Sequence, residues 1–287
     1  MKTLVAAAAV LLLQDAKVEL RWKFEKGQEL VYKTTRKELR TAGGRAAETD
    51  LSSTFSWTVA DVAADGTASI DAKFLAVSFF SSQPAPYEYD SEKDKQPPPG
   101  GPGPTLSRLV GQAFSLRIGP RGKVAEVKGF DRILEAMAKD LPEGPAGDQE
   151  RQAMKQAFSD ETFRAAMDQM SSSLPAGPVG VGDTWKGEFK TAMPPAGELH
   201  SAIASRLADL RDGDARIEQD LRIEFKAAAG GEIGIRDAKG KSTCVFSSRR
   251  GRFLSQKSSV EMTVLRAGRE VRLETETEVK LREKKAP

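Results

Sequence analysis

The sequence predicts an α+β protein dominated by β structure: long antiparallel strands in a curved sheet or half-barrel, in two pseudo-repeated halves with two or three amphipathic helices between them. Three observations carry this prediction. Apolar and polar residues alternate over long stretches, helical spacing replaces the alternation near residues 130–173, and a strand-turn-strand pattern occurs twice in the same order. Long one-sided strands favour a sheet that curls around a core, because flat wide sheets are unusual.

The last strand shows the alternation most clearly. Over residues 271–282 the odd positions carry Val, Leu or Thr, and the even positions carry only Arg, Glu or Lys. Residues 51–59 also alternate, with Ser or Thr at every even position. A period of two indicates strands with one buried face. The same pattern predicts strands at 29–41, 67–81, 113–118, 184–193, 199–210, 215–225 and 253–265.

The middle of the chain has the spacing of helices, with a break at residues 141–145 and an end at Pro175. These helices either pack on the sheet as ordinary core, or form a movable lid over an apolar cavity, since Met adapts to many surfaces. The sequence leaves both alternatives open. The apolar residues at this spacing are Phe130, Ile133, Leu134, Met137 and Leu141, followed by Phe163, Met167, Met170 and Leu174.

A weak internal repeat supports the division into halves. Residues 60–70 match residues 208–217, and residues 114–122 parallel residues 246–251, each as a strand followed by a Gly turn. The alternative is coincidence, because Asp-Gly hairpins are common. The predicted organisation is a signal peptide at 1–16, an N-terminal β half at 17–128, a helical segment at 129–175, a C-terminal β half at 176–283 and a tail at 284–287.

One proline-rich segment interrupts the first half. Residues 82–104 hold seven of the fifteen prolines. Proline cannot donate to a strand ladder, so a Pro/Gly-rich loop at 82–105 is expected to be an exposed loop or flap that does not pair in the sheet.

The first residues indicate export. A basic start at residues 1–2 precedes an apolar run at residues 3–13, which is too short for the roughly 20 residues that span a bilayer. Cleavage is expected within residues 13–16, and the alternative is a buried terminal helix or strand. No Cys comes directly after the run, so a lipoprotein is not expected, nor is a transmembrane segment. The predicted location is the periplasm or cell envelope.

Composition argues against several function classes. The balance of 44 Lys+Arg against 41 Asp+Glu gives a net charge of +3, which does not favour nucleic acid as a partner. One His and one Cys do not provide a zinc site, and the usual serine-nucleophile and phosphate-loop motifs do not occur. We therefore expect no catalytic residue, metal or cofactor. Cys244 is expected to be a buried inert thiol, and His200 a rim residue.

Three charged clusters have weaker alternatives. The two acidic clusters could hold Ca²⁺ through hard oxygens, but they lack the spacing of a calcium loop, and turn chemistry explains them better. The basic cluster could touch a phosphate, and a solvated hairpin tip is the favoured interpretation. The clusters are Glu88, Asp90, Glu92 and Asp94; Asp209, Asp212 and Asp214; and Arg249, Arg250 and Arg252.

Three segments resemble a group of uncharacterised exported bacterial proteins that share a domain of unknown function: LRWKFEKGQ at 20–28, PVGVGDTW at 178–185, and RFLSQKSSVEM at 252–262. The resemblance implies export and a β-rich fold, and it adds no catalytic residue. At the level of architecture alone, the predicted fold is also similar to the half-barrel lipoprotein carriers of the bacterial envelope.

Two functions follow from this pattern. The first is a non-enzymatic envelope protein that holds a hydrophobic small molecule or lipid between the curved sheet and the helical cover. The alternative is a structural or protein-interaction module with a filled core, which contacts an envelope protein through the proline-rich flap or a strand edge. In the first case the ligand-contacting residues would be Phe130, Ile133, Leu134, Met137, Phe163, Met167 and Met170.

Overall fold

The computed structural model describes residues 17–282 except 140, 142, 158, 161–162, 165–166, 168–172, 194–195, 229–232 and 267. Twelve strands and three helices lie in this part of the chain. The strands are β1 (Glu29–Ala42), β2 (Arg45–Val62), β3 (Ala68–Ser81), β4 (Tyr87–Asp90), β5 (Ala113–Ile118), β6 (Val124–Lys128), β7 (Thr184–Met193), β8 (Gly197–Arg211), β9 (Asp214–Ala227), β10 (Ile233–Ser247), β11 (Arg252–Arg266) and β12 (Arg269–Arg282), and the helices are α1 (Gly103–Ser107), α2 (Phe130–Ala138) and α3 (Pro145–Ala157).

All twelve strands belong to one curved, open, antiparallel sheet, as the α+β, β-dominated prediction requires. Its order is β6-β5-β3-β2-β1-β12-β11-β10-β9-β8-β7, and β4 pairs with β3 outside this path. Read across the sheet, the strands of the N-terminal half (β6-β5-β3-β2-β1) and those of the C-terminal half (β11-β10-β9-β8-β7) both lie in reverse chain order. β12 lies between β1 and β11 and joins the two sets. The two halves of the chain therefore share one sheet.

The repeated segments occupy equivalent hairpins. Pairing skips Ala60 in β2 and Ala208 in β8, so each residue forms a bulge just before its hairpin turn. These two alanines are the first residues of the matching segments found in the sequence. Pairing also skips Ala125 in β6 and Leu254 in β11, directly after the second pair of matching turns. The repeat is thus visible as matched distortions of the ladder.

The sheet has an inner face, on which the helices pack, and an outer face. Phe114 of β5 and Phe130 of α2 mark the inner face, with their ring centroids 4.8 Å apart. We call the strand ends at the turns around residues 119–122 and 248–251 the proximal end, and the opposite strand ends the distal end. On β7–β12 the closed apolar core lies on the inner face at the proximal end, and on β3 and β4 it extends further, to Val77 and Tyr89.

The chain segment 17–24 connects the proximal turns of the two halves. The Trp22 N–H donates to the carbonyl of Pro120, at the turn between β5 and β6, over 2.8 Å. The Lys23 N–H donates to the carbonyl of Gly251, at the turn between β10 and β11, over 2.9 Å. A short extended segment thus bridges two hairpins that lie far apart in the strand order.

Trp22 fills the space between these hairpins. Its ring lies 5.4 Å from Phe24 and 5.9 Å from Trp57, and it meets Phe246 and Phe253 edge-on at 6.2 Å and 5.6 Å. Only 3% of the residue is exposed. Its indole N–H has no hydrogen-bond partner among the described residues. Aromatic packing therefore holds this side chain in place.

The V-G-D-x-W segment of the family resemblance has a structural role at the same end. Val18 and Val179 exchange two backbone hydrogen bonds of 2.8 and 3.0 Å. The Asp183 carboxylate accepts the Gly180 N–H over 2.9 Å and so closes the turn. The Leu207 N–H then donates to the Asp183 carbonyl over 3.0 Å, which joins the turn to β8.

The proline-rich segment corrects one prediction. Residues 82–105 were expected to stay out of the sheet, but β4 within them pairs with β3. The reason is that the prolines lie on both sides of β4 and leave its own N–H groups free to pair. The Tyr87 hydroxyl donates to the Pro98 carbonyl over 3.0 Å and accepts the Gly103 N–H over 3.1 Å, so this segment is held against the sheet.

Replacing Trp22 tests the bridge between the two halves. Trp22→Ala should lower the free energy of unfolding by about 3–5 kcal/mol, the range for removing a buried aromatic side chain. Urea unfolding followed by circular dichroism measures the change. Arg21→Ala is the matched control, because Arg21 is 41% exposed and pairs with Glu19 at the surface. Equal effects of the two substitutions would contradict the assigned role.

Candidate functional site

The inner face of β7–β12 has three zones along the strands. Core side chains such as Ile217 and Phe246 fill the proximal zone. A belt of small polar side chains crosses the middle. Beyond the belt, apolar side chains return at the distal end, where they are only half-buried. The alternation predicted from the sequence is therefore confirmed, but a polar belt divides the apolar face into a proximal and a distal zone.

The polar belt is a connected hydrogen-bond network. The Gln219 side-chain NH₂ donates to Ser205 Oγ over 2.9 Å. Its Oε1 accepts from Ser173 Oγ at 3.4 Å and from Cys244 Sγ at 3.3 Å. Ser242 Oγ lies 3.7 Å from Cys244 Sγ and completes the link to β10. These five residues are buried, and their mutual bonds compensate the loss of water.

We call the apolar zone beyond the belt the distal strip. Direct pairing puts its members on one face: Met262 lies opposite Leu273, and Val264 lies opposite both Val271 and Ile235. All members are half-buried. The distal strip consists of Phe189, Leu199, Ile223, Phe225, Ile235, Val260, Met262, Val264, Val271 and Leu273.

A groove lies on the outer face, where β9 and β10 separate. Their pairing ends at Arg222 and Lys239, beyond which β9 pairs only with β8. The groove has a volume of about 920 Å³, and a smaller one of about 260 Å³ adjoins it at Lys241 and Ser259. Charged side chains of both signs line the larger groove, namely Lys186, Glu188, Asp220, Arg222, Lys239, Lys241 and Glu261.

The predicted helical cover is largely part of the closed core. Phe130, Ile133, Met137 and Met167 are buried, and Phe130 lies 5.2 Å from Phe163 between ring centroids. Leu134 and Phe163 are half-buried, and Met170 lies outside the described residues. The predicted contact of these residues with a ligand stays a prediction. Their observed contacts are with the sheet and with one another.

The remaining singled-out residues take part in local structure. His200 is half-buried at the outer face and contacts the Glu198 carboxylate. Asp90 accepts the Glu92 N–H over 3.0 Å, and this hydrogen bond, followed by the one from Lys93, lowers the pKa of its carboxyl group. Arg249 lies in the turn between β10 and β11. Within the described residues, no group of three or more His, Cys, Asp or Glu side chains could hold a metal ion.

Sequence patterns did not identify the distal strip as a separate zone. The strand spanning β10 was not predicted, because its residues 233–241 contain two glycines and several charges. Cys244 was predicted to be a buried thiol, but the polar side chains that surround it were not identified. The belt arises from Ser and Gln residues of three strands and from Ser173, and the register of these strands could not be read from one sequence.

Among the described residues, no helix has the length and apolar character needed to cross a bilayer. The fold and the face pattern define an antiparallel β-sheet protein whose inner face is mostly apolar and is crossed by a polar belt, and whose outer face carries many charged side chains. The chain belongs to the family of unknown function DUF6263, whose model matches residues 65–247.

Other comparisons add little. No curated protein matches the chain. Among solved structures the chain is similar to DynF from the dynemicin biosynthesis pathway of Micromonospora chersina, with 8% identity, a TM-score of 0.23, and coverage of 100% of this chain and 95% of that chain. A TM-score this low supports no statement about fold or function.

Because Cys244 is buried within the belt, its reactivity reports whether solvent reaches the belt. Burial raises the pKa of the Cys244 thiol to about 11, so the folded protein should react with iodoacetamide at pH 8.5 at least tenfold more slowly than the urea-unfolded chain. Alkylation followed by mass spectrometry measures both rates. Equal rates would show that the belt is open to solvent.

The same pKa shift has a consequence for stability. Above the ordinary thiol pKa, the unfolded chain loses the Cys244 proton while the folded chain keeps it until about pH 11. This group therefore lowers the free energy of unfolding as pH rises through that window, by up to about 1.4 kcal/mol per pH unit. Cys244→Ala should remove this part of the slope.

Proposed function

We propose that this protein is an exported, non-enzymatic component of the bacterial cell envelope that holds a long acyl chain or similar lipid against the distal strip. The observation that carries the proposal is the half-buried state of ten apolar side chains on one face of β7–β12. Sizeable apolar patches at a protein surface commonly mark a site of contact with a ligand or partner. The closed proximal core does not need this second apolar zone.

The dimensions of the distal strip suit an acyl chain. Six strands at the usual spacing of about 4.8 Å would give a width of about 24 Å, and β7–β12 span at least this width at the distal strip, because β9 and β10 separate there. An extended long acyl chain has a similar length. The strip contains aromatic, β-branched and Met side chains, which contact flexible hydrocarbon without demanding hydrogen bonds.

The buried belt would form the closed end of such a site. Ser205 and Gln219 hydrogen-bond to each other, and the helical cover packs on the proximal side of the belt. A ligand on the distal strip would therefore rest against the belt and would not need to displace Phe130 or Met137 from the core. This placement differs from the predicted contact with the helical cover.

Two observations favour the alternative, a protein-interaction module. The proximal core is filled with side chains, and the outer groove at β9 and β10 is lined by both acidic and basic residues. A polar groove of this kind suits a polypeptide partner better than a lipid. The ligand experiment separates the two functions, because the outer groove and the distal strip lie on opposite faces.

Ligand binding should depend on the distal strip. After delipidation, the wild-type protein should bind a fluorescent fatty-acid probe, and the double variant Met262→Gln/Leu273→Gln should bind it at least tenfold more weakly, because two paired apolar contacts become polar. Probe titration gives the dissociation constants. Native mass spectrometry of protein purified without delipidation checks for bound lipid.

Adjacent outer-face residues provide the control. Thr263→Gln/Glu274→Gln changes the same two strands one residue further along, where the side chains point to the opposite face. The control should bind the probe like the wild type. If the wild-type protein binds no probe and carries no lipid, the acyl-chain function is wrong and the interaction module remains.

Export can be tested independently. The full chain, expressed in a Gram-negative host, should appear in the periplasmic fraction with a mature N-terminus within residues 13–17, and a variant lacking residues 2–13 should stay in the cytoplasm. Cell fractionation and N-terminal mass spectrometry measure both results. An intact N-terminus in the cytoplasm for the full chain would contradict the export proposal.

A further inference from the structure

Two hairpin tips lie side by side at the distal end of the sheet. The turn between β1 and β2 and the turn between β11 and β12 are neighbours because β1 pairs with β12. Ala42 lies opposite Val271, and Arg40 lies opposite Leu273. This contact joins the N-terminal half of the sheet to the distal strip.

Four arginines occupy the inner face of these two tips. Arg40 lies opposite Leu273, Arg45 lies opposite Ala42, and Arg266 lies opposite Arg269. Residues in direct register share a face, so all four arginines lie on the same face as the distal strip. We call this set the basic rim.

The basic rim is exposed, and its charges are not neutralised locally. All four of its arginines are exposed, and none forms an ion pair within the part of the chain that the structure describes. Glu38 is the nearest acidic residue on the same face of β1, and it pairs with Arg36 over 2.8 Å. Glu270 pairs with Arg236 over 2.5 Å on the outer face.

The arginines of the basic rim and several apolar side chains lie next to one another at the distal end of the sheet. Val264, Val271, Met262 and Leu273 lie in the two rows of residues next to the tips and are half-buried. A surface that combines arginines with apolar side chains on one face is suited to the boundary between lipid headgroups and acyl chains. Arginine fits phosphate groups with its planar fork, and unpaired arginines gain most from an anionic surface.

We infer that the basic rim and the adjoining distal strip dock the protein on an anionic phospholipid bilayer. The arginines contact lipid phosphates, and the apolar residues of the two rows enter the headgroup boundary. The inner face is thereby oriented toward the membrane, with the closed proximal core away from it. This inference goes beyond the proposed ligand function, since docking requires no bound acyl chain.

The test uses delipidated full-length mature protein and vesicles of defined composition. The protein should co-float with vesicles of phosphatidylcholine containing phosphatidylglycerol, and much less with phosphatidylcholine alone. Raising the salt concentration should weaken the interaction, because exposed charges are screened. Arg266→Gln/Arg269→Gln should weaken binding roughly twenty-fivefold, since each exposed arginine near an anionic surface contributes about a fivefold change.

Arg117→Gln/Arg121→Gln is the matched control, because it removes the same charge from the proximal end of the sheet. It should bind anionic vesicles like the wild type. Circular dichroism verifies that both double variants are folded. Docking is supported only if the rim variant loses binding and the control retains it.

Three flotation results would overturn the inference: no flotation with anionic vesicles at low salt, equal flotation with neutral vesicles, or equal losses in both double variants. Binding to an acidic polypeptide without binding to vesicles would identify the rim as a protein contact and would also overturn it. Failure of probe binding with retained vesicle binding would affect only the acyl-chain function.

Discussion

The packing of Trp22 is the contact on which the closed end of this fold depends. In an open sheet of twelve strands, the ladder alone does not bring the proximal turns of β5 and β10 into contact, because these two strands lie far apart in the strand order. Trp22 meets both sides through aromatic contacts with Trp57 and Phe246, while its backbone binds Pro120. The proximal core can therefore close, while the distal strip stays half-buried.

The division of the inner face follows from this closure. Side chains near Trp22 reach full burial, whereas those at the other ends of the same strands do not. The belt around Gln219 separates the two environments because its polar groups satisfy one another. A continuous apolar face would instead favour further collapse of the sheet onto the helices. The belt thus fixes where the core ends.

Local sequence patterns predicted much of the fold, since alternation depends only on neighbouring residues. The predicted strands at 113–118 and 184–193 coincide with β5 and β7. β4 was missed because nearby prolines dominated the interpretation, and β10 because its glycines obscured the period. The distal strip and the belt depend on register between strands, such as Gly240 opposite Leu221, which a single sequence does not specify.

The pairing of β1 with β12 has a consequence for how the molecule assembles. Val31 lies opposite Arg282, so the ladder at the middle of the sheet joins the first and the last strand of the described residues. Such distant contacts form slowly, because a large loop must close before they are gained. The central ladder therefore forms only after β12 has been synthesised, whereas the hairpins on either side of it need only neighbouring strands.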